Sequence, residues 1–247
     1  MQPRDVPAST TASPLAGRTA LITGASRGIG RAVAFRLAQL GARLLLVARD
    51  QKALAEVRRE IVDLANAEAE ELPCDLTSAS EIQTLSSRID QAGGCDVLVN
   101  SAGIGRIGAP LHEIPLQDFD AVIATNLRAP FLLMRAVIPH MIARRAGDIV
   151  NISSLAGQGP LADGAAYAAS KWALNGLSYS AAEELRSHNI RVSVVAPGSV
   201  NTDFGRGGKD RTKMLQPDDV AATVAMLVTQ PRHAFISEVR MRPTQKP

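Results

Sequence analysis

Short apolar runs rich in Leu, Ile and Val alternate along the chain with longer segments of helical period. Such runs predict strands, and six of them stand at residues 19–23, 42–48, 70–74, 96–100, 148–153 and 190–196. The intervening segments predict helices; in the first of them Ile29, Val33 and Leu37 share one face. Strands that are apolar on both faces must be covered on both sides. The pattern therefore predicts a doubly wound α/β fold, a parallel sheet flanked by helices on both faces.

The domain organisation follows from where this pattern begins. Residues 1–14 hold three Pro and four Ser or Thr and no apolar period, which predicts a disordered N-terminal arm. From residue 15 to residue 247 no linker, composition shift or internal repeat divides the chain, so we expect a single domain. With 46% apolar and 21% charged residues, the composition excludes a disordered or fibrous protein.

Charge and residue usage bear on several further classes of protein. A net charge of +3, with one Trp, two Tyr and five Phe, argues against a nucleic-acid partner. The two cysteines form no CxxC pair and the four histidines show no metal-ligand spacing, so we predict neither a disulfide framework nor a metal site. No apolar run approaches the ~20 residues of a membrane span. The N-terminus also lacks a secretory signal, so we expect a cytoplasmic protein with no membrane partner.

A glycine-rich turn follows the first predicted strand and opens the first helix. It reads TGASRGIG over residues 23–30. Glycines let the chain turn tightly and let backbone amides approach a pyrophosphate, whereas the absence of a following GK[ST] argues against a nucleoside-triphosphate loop. A turn that merely joins strand to helix is the alternative. We predict a dinucleotide site of the Rossmann type, with contacts from Gly24, Ser26, Arg27, Gly28, Ile29 and Gly30.

The end of the second predicted strand indicates which dinucleotide is bound. A carboxylate there would accept hydrogen bonds from both ribose hydroxyls, but this chain has Ala48 followed by Arg49. Arg49, together with Arg27 from the glycine turn, can pair with a 2′-phosphate, which predicts NADP as the cofactor. Asp50 could turn inward, although its position rather predicts a cap on the next helix.

Tyr167 and Lys171 are four residues apart in an Ala-rich segment that predicts a helix. Residues at this spacing share a face, so the ammonium can lie near the phenol and lower its pKa from about 10. Ser154 ends a predicted strand at the carboxyl edge, where open α/β sheets bind their ligands. Each feature is common when it occurs singly, and a lone helical Tyr is often only a packing residue.

Taken together, these motifs resemble those of the short-chain dehydrogenase/reductase family, in its compact single-domain branch. They follow the order of the family over nearly all of residues 15–241. Besides TGxxxGxG they comprise Asp75-Leu76, NSAG at 100–103, Asn126, Ser154 at 13 residues before Tyr167, YxxxK at 167–171, and Pro197-Gly198 followed by Thr202. Within the family, the chain is similar to 3-oxoacyl-acyl-carrier-protein reductases and related carbonyl reductases.

The resemblance implies a mechanism and a set of contacts. NADPH would deliver hydride to a ketone carbon while Tyr167, as general acid, protonates the oxygen that Ser154 positions. Lys171 would lower the phenol pKa and bind the nicotinamide ribose, and Asn126 would hold a water that relays protons to Lys171. These four are the predicted catalytic residues. The further cofactor contacts implied are Asp75, Leu76, Asn100, Ala102, Gly103, Tyr167, Lys171, Pro197, Gly198, Val200 and Thr202.

Two departures from the family pattern leave the substrate open. Ser101 replaces the second Asn of the usual NNAG, and the stretch from Glu238 lacks the Gly-Gly ending of ketoacyl reductases and looks like that of reductases acting on small hydroxy acids. We predict NADPH-dependent reduction of a small-molecule ketone, foremost a 3-oxoacyl thioester or related β-keto compound, free or linked to a carrier or CoA. The alternatives are an NADP-dependent 3-hydroxy acid dehydrogenase and an NADP-binding sensor or scaffold.

Two further segments bear on substrate access and assembly. The Gly-rich basic stretch 203–214 stands where the family has its substrate lid, and it either attracts an anionic substrate or is a solvated loop. The helix that carries Tyr167, and a long helix predicted from about 117 to 145, would each leave an apolar face that one sheet cannot cover. The resemblance implies a homotetramer in which these helices pack across a twofold axis.

Overall fold

The computed structural model describes residues 13–204 and 210–247 of the chain. Its strands are β1 Thr19–Thr23, β2 Arg43–Ala48, β3 Ala69–Pro73, β4 Val97–Asn100, β5 Gly147–Ile152, β6 Ile190–Pro197 and β7 Glu238–Met241. All of them join one parallel sheet in the order β3-β2-β1-β4-β5-β6-β7. The six predicted strands are confirmed, and each end lies within one residue of its predicted place.

The strand β7 was not predicted. It has four residues, stands at the edge of the sheet and pairs in parallel with β6. Its side chains are half-buried or exposed, so the segment lacks the continuous apolar run that marks the central strands. Pairing with β6, rather than local sequence, makes this segment a strand.

Helices cover both faces of the sheet. Their bounds are α1 Gly28–Gln39, α2 Gln51–Ala65, α3 Ala79–Gln91, α4 Leu116–Ile123, α5 Ala129–Arg144, α6 Ala165–Leu185 and α7 Pro217–Val228. The helices α1, α2 and α7 share one hydrophobic layer with the sheet, and α3, α5 and α6 share the other. The predicted doubly wound architecture is therefore confirmed.

Successive residues of each central strand enter opposite layers of the core. In β1, Ile22 packs in the layer of α1, α2 and α7, whereas Leu21 packs in the other layer. In β2, Leu46 and Leu45 are divided in the same way. Because strand side chains alternate with a period of two, a strand covered on both faces needs an unbroken apolar run.

A single π turn, Ala124–Arg128, joins α4 and α5 into one continuous helix from Leu116 to Arg144. This confirms the long helix predicted from about 117 to 145. The helix is long and apolar enough to cross a bilayer, so the expectation that no apolar stretch approaches that length is wrong. Half of its most apolar window is nevertheless buried inside the protein, as in a core helix.

A buried ion-pair cluster holds the amino-terminal edge of the sheet. Asp148, in β5, is 4% exposed, and its two carboxylate oxygens lie 2.6 Å from the guanidinium groups of Arg18 and Arg191. Arg18 also donates to the Val228 carbonyl oxygen at 3.0 Å, and Arg191 to three carbonyl oxygens beyond α7. The cluster thereby joins the first residues of β5 and β6 to the entry of β1 and the end of α7.

The predicted disordered arm, residues 1–14, lies outside the described residues except for its last two. Leu15 is fully buried, and its backbone N–H donates to the Leu40 carbonyl oxygen at 2.8 Å. The core contacts of the described chain therefore begin where the apolar pattern of the sequence begins.

Candidate active site

The glycine turn between β1 and α1 has backbone angles and contacts that favour glycine. Gly24 and Gly28 have φ angles of +68° and +57°. A Cβ at Gly24 would lie 3.0 Å from the Ala102 Cα, and one at Gly30 would collide with the Gly24 carbonyl oxygen. The turn is therefore packed against the loop that follows β4 through Gly24, and against the first turn of α1 through Gly30, so a side chain at either position would displace its neighbour.

The N-terminus of α1 is open to an anion. Arg27 stands at the N-cap, but its side chain makes no capping hydrogen bond. The first backbone amides of a helix carry partial positive charge and lack partners within the helix. A Cβ at Gly28 would lie 3.3 Å from the Thr202 Cγ2, so the loop after β6 borders the same space. Uncapped amides beside glycines without Cβ atoms fit the pyrophosphate of a dinucleotide.

Thr23 joins two loops of this edge, although the sequence assigned it no role of its own. Its Oγ1 accepts hydrogen bonds from the N–H groups of Ser101 and Ala102, both at 3.0 Å, and donates to the Val99 carbonyl oxygen at 3.4 Å. These bonds hold the loop after β4 against the glycine turn. The sequence signal that could have indicated this role is a hydroxyl-bearing residue at the end of a buried strand, directly before a glycine.

The Asn100 side chain forms hydrogen bonds within the protein. Its Nδ2 donates to Asn151 Oδ1 on β5 at 2.8 Å, and Asn151 Nδ2 donates to Ser178 Oγ on α6 at 2.8 Å. The chain of bonds ties β4 and β5 to α6 beneath the open edge. The Nδ2 of Asn100 is therefore used inside the protein, and its contact with a cofactor remains a prediction.

Three of the predicted catalytic residues meet at the carboxyl edge of β5. Tyr167 and Lys171 lie one turn apart on α6 and are 8% and 4% exposed. Lys171 Nζ lies 5.8 Å from the centroid of the Tyr167 ring and donates to the Ile152 carbonyl oxygen at 2.8 Å. The hydroxyls of Ser154 and Tyr167 are hydrogen-bonded, and Ser154 Oγ also accepts from the Ala156 N–H at 3.1 Å. The expected shared face of Tyr167 and Lys171 is confirmed.

Burial controls the protonation of both α6 residues. It raises the pKa of the Tyr167 phenol above its usual range, and the hydrogen bond with Ser154 offsets part of that rise. Burial also lowers the pKa of Lys171 to about 8. The predicted contribution of Lys171 to lowering the phenol pKa stays a prediction. The ammonium lies over the ring and donates to the Ile152 carbonyl oxygen, and burial sets the net direction of the Tyr167 shift.

Asn126 lies in the π turn and is fully buried. Its Oδ1 accepts from the Ile104 N–H and its Nδ2 donates to the Ile104 carbonyl oxygen, both at 2.9 Å. The Nδ2 also donates to Ser170 Oγ at 3.0 Å, and the Ser170 hydroxyl donates to the Tyr167 carbonyl oxygen at 2.7 Å. The side chain thus holds the loop after β4 and the start of α6 in place. The water relay remains a prediction.

The two arginines predicted to recognise a 2′-phosphate, Arg27 and Arg49, are both exposed. In residues 13–204 and 210–247, neither guanidinium forms a hydrogen bond or an ion pair. Hydrogen bonds from Thr77 to Asp75 Oδ1, at 2.9 Å from both the N–H and the hydroxyl, lower the pKa of Asp75, and the charge of Arg49 adds to this. Asp50 caps α2, as predicted, so its carboxylate is used by the helix.

The remaining predicted cofactor residues line the same edge of the sheet. Pro197 ends β6, and the Gly198 N–H donates to the Met241 carbonyl oxygen at 2.9 Å. Val200 forms an isolated bridge with a later segment, and the Leu76 side chain is buried in the core. Half-buried positions at this edge are Ser26, Ile29, Ala102, Gly103 and Thr202.

Phe204 belongs to the site, although no sequence signal singled it out. The centroid of its ring lies 5.6 Å from that of Tyr167, with the two planes tilted by 53°. It stands at the start of the stretch 203–214 predicted as a substrate lid, of which residues 205–209 lie outside the described chain. In the described part, Asp203 and Arg211 form an exposed ion pair at 3.9 Å. Whether the stretch attracts an anion remains a prediction.

Known proteins resemble this chain over most of its length. The sequence model of the short chain dehydrogenase family matches residues 18–212. An uncharacterized oxidoreductase of Staphylococcus epidermidis is 32% identical over 228 residues, which cover 92% of this chain and 97% of that protein. The chain therefore belongs to the short-chain dehydrogenase family, and it is an NAD(P)-dependent oxidoreductase of that family.

Two solved structures share the fold. A metagenomic short-chain oxidoreductase in complex with NADP has a TM-score of 0.84 and 53% identity, covering 95% of this chain and 100% of that one. An alcohol dehydrogenase of the archaeon Thermococcus sibiricus, complexed with 5-hydroxy-NADP, has a TM-score of 0.86 and 29% identity, covering 93% and 98%. The predicted Rossmann fold and the predicted family are both confirmed.

Proposed function

We propose that this protein uses NADPH to reduce a ketone to a secondary alcohol. The observation that carries this proposal is the buried Tyr167 hydroxyl, which is hydrogen-bonded to Ser154 and lies one helical turn from Lys171. A phenol whose pKa is raised by burial keeps its proton at neutral pH. Reduction of a ketone requires such a proton donor beside the carbonyl oxygen.

Each candidate catalytic side chain has a distinct task in this reaction. When bound, NADPH supplies the hydride. Tyr167 holds the proton that the carbonyl oxygen takes up, and the Ser154 hydroxyl forms a second hydrogen bond that orients this oxygen. Lys171 presents a buried ammonium beside the phenol and binds the nicotinamide ribose. Asn126 positions the start of α6, because its amide is hydrogen-bonded to Ser170, whose hydroxyl is bonded to the Tyr167 backbone.

The preference for NADPH over NADH rests on Arg27 and Arg49, which are exposed beside the glycine turn. The strand β2 ends in Ala48, where a carboxylate would repel a phosphate. The complex of the 53% identical relative with NADP supports the same choice. The proposed cofactor contacts are Gly24, Ser26, Arg27, Gly28, Ile29, Gly30, Arg49, Asp75, Leu76, Asn100, Ala102, Gly103, Tyr167, Lys171, Pro197, Gly198, Val200 and Thr202.

A 3-oxoacyl thioester or related β-keto compound is the substrate class that we propose. The support for it is the similarity of the motifs to those of oxoacyl reductases. A turnover screen tests the proposal: the protein is given NADPH with acetoacetyl thioesters, β-keto acids or aromatic ketones, and the alcohol product is identified. We expect NADPH consumption with at least one class. Binding of NADPH without turnover of any ketone would instead favour the sensor, and turnover of 3-hydroxy acids alone would favour the dehydrogenase.

We further propose a homotetramer built through the α4–α5 helix and α6. Large apolar side chains exposed on these helices are Leu116, Phe119, Phe131, Trp172 and Tyr179. Apolar surface repeated along adjacent helices is typical of an interface between subunits. Light scattering at micromolar concentration should give a mass four times that of the chain, and a stable monomer would contradict this arrangement.

A further inference from the structure

Phe204 borders the space in front of Tyr167. Its Cε1 and Cζ atoms lie 3.2 and 3.3 Å from the position that a Cβ would have at Gly105. A Cβ at Gly105 would be packed tightly against the ring, so the ring lies directly on the loop after β4. On its other side, the ring is within 3.9 Å of the corresponding position at Gly103, which lies 3.8 Å from Lys171 Nζ. The phenyl ring therefore lies between this loop and the buried α6 pair.

Two aliphatic side chains continue this surface. Ile107 Cδ1 lies 3.4 Å from the Cβ position of Gly105, and its Cγ1 lies 3.6 Å from that of Gly164, the N-cap of α6. The side chain of Leu161 also lies directly against Gly164. The three apolar residues Ile107, Leu161 and Phe204 thus lie along the loop after β4 and the start of α6, with Phe204 beside Tyr167; we call them the apolar wall.

The apolar wall exposes hydrocarbon, and among the described residues beside it no unpaired cation is adjacent in sequence. Its isoleucine is 50% exposed and its phenylalanine 46%. Among the described charged residues within two positions of the wall, Arg106 is paired with Asp118 at 3.3 Å, while Asp163 and Asp203 are acidic; Arg206 lies outside the described residues. A carboxylate against these three side chains would lose hydration to hydrocarbon, whereas an apolar group would cover exposed hydrocarbon.

We propose that the apolar wall selects neutral ketones carrying an apolar substituent over free keto acids of similar size. This inference rests on the proposed function, because it assumes that the ketone oxygen lies at Tyr167 and Ser154. The substituent then packs against Phe204 and Ile107 while the carbonyl faces the proton donor. A neutral 3-oxoacyl ester or thioester satisfies this condition, but a small 3-hydroxy or 3-oxo acid does not.

Two matched pairs of ketones test the apolar wall. Acetoacetate and 2,4-pentanedione have nearly the same shape but differ in charge, and we expect kcat/KM to be at least tenfold higher for the neutral diketone. Ethyl acetoacetate and ethyl 3-oxohexanoate differ by two methylenes on the ketone side. Burial of one methylene corresponds to about a fourfold gain, so the longer ester should react up to about 15-fold more efficiently.

Variants of the wall assign the preference to particular side chains. Phe204→Ala should remove most of the gain from the longer ester, whereas Phe204→Leu, which remains apolar, should keep part of it. The control is Leu64→Ala, which truncates an exposed leucine of α2 and should keep the whole gain. Equal kcat/KM for acetoacetate and 2,4-pentanedione, or an unchanged ester ratio in Phe204→Ala, would overturn the proposal.

A binding measurement separates failure of the wall from failure of the proposed reaction. Calorimetry with the NADP⁺-loaded protein compares ethyl 3-hydroxyhexanoate with 3-hydroxybutyrate. Tighter binding of the ester without turnover of any ketone would support the wall and contradict the proposed reductase. Turnover of ketones without preference for the ester would contradict the wall alone. If the protein neither reduces a ketone nor binds the ester more tightly, both the wall and the proposed reductase are contradicted.

Discussion

At the amino-terminal edge of the sheet, the Asp148 carboxylate is buried and paired through both oxygens with Arg18 and Arg191. At the carboxyl-terminal edge, Arg27 and Arg49 are exposed and form no ion pair within the described part of the chain. Arginines are thus paired with a carboxylate at the first edge, whereas at the second edge they have no such partner among the described residues. Charges that are matched inside the fold stabilise it, whereas charges left unmatched can bind a ligand.

Buried polar atoms without partners are a second feature of the carboxyl-terminal edge. The Asn100 Oδ1 and the Ser153 hydroxyl, at the ends of β4 and β5, are buried without a hydrogen-bond partner among the residues described. Nearby, burial shifts the pKa of both Tyr167 and Lys171. Unsatisfied groups and shifted pKa values cost stability, and they gather where the proposed chemistry takes place. The comparison therefore predicts that substitutions at the two edges have different consequences.

The largest expected effect is on catalysis at the carboxyl edge. Tyr167→Phe removes the transferable proton and keeps the ring, so kcat for ketone reduction should fall by ~10² to 10⁴ while NADPH affinity changes little. The matched control is Tyr179→Phe, because Tyr179 is the other tyrosine of the chain and its hydroxyl is bonded to Glu238 away from Lys171. Steady-state kinetics of both variants decide the matter. Parent-like turnover by Tyr167→Phe would mean that the phenol only packs.

At the amino edge, the expected effect is on stability. Asp148→Asn leaves two guanidinium groups without their carboxylate and should lower the free energy of unfolding by about 3 to 5 kcal/mol, measured by urea denaturation. The control Glu183→Gln breaks an exposed pair with Arg186 and should cost less than about 1 kcal/mol. Activity per folded molecule should remain near that of the parent. Equal losses for the two variants would show that the buried cluster adds nothing beyond a surface pair.

A smaller effect is expected on the choice of cofactor. NADPH should bind at least tenfold more tightly than NADH, which corresponds to about 1.4 kcal/mol, and Arg49→Asp should reverse the preference. The control is Arg59→Asp, on the exposed side of α2, which makes the same change of charge away from the glycine turn. This variant should keep the preference for NADPH over NADH. The two dissociation constants can be measured by titration of each variant. Equal affinities of the parent protein for NADPH and NADH would contradict the proposal that NADP is its cofactor.

The smallest effect concerns pH. Because burial lowers the pKa of Lys171 to about 8, the ammonium is lost as the pH rises through that value. The kcat/KM for ketone reduction should therefore be halved near pH 8 and fall by about tenfold per pH unit above it. In Lys171→Arg, which stays charged, the falling limb should move to higher pH. A limb that is unchanged in this variant would belong to another group.

Local patterns were sufficient for much of the fold and for the motifs of the site. The five inner strands β1, β2, β4, β5 and β6 were found because burial on both faces requires continuous apolar runs, and Asp50 was recognised as a cap because its helix begins at the next residue. The strand β7 was missed because its half-exposed residues lack such a run and become a strand only by pairing with β6.

The sequence by itself determined the order of the first six strands with the helices between them, the glycine turn and the family, since each is written in neighbouring residues or in short motifs at characteristic spacing. The tertiary structure alone decided that Phe204 and Ile107 meet near Tyr167, that the Asn100 side chain is bonded to Asn151, and that the pKa of Tyr167 is raised. These properties depend on burial and on contacts between distant segments. The spacing of Tyr167 and Lys171 specifies their shared face, but only the surrounding protein determines how much water each of them loses.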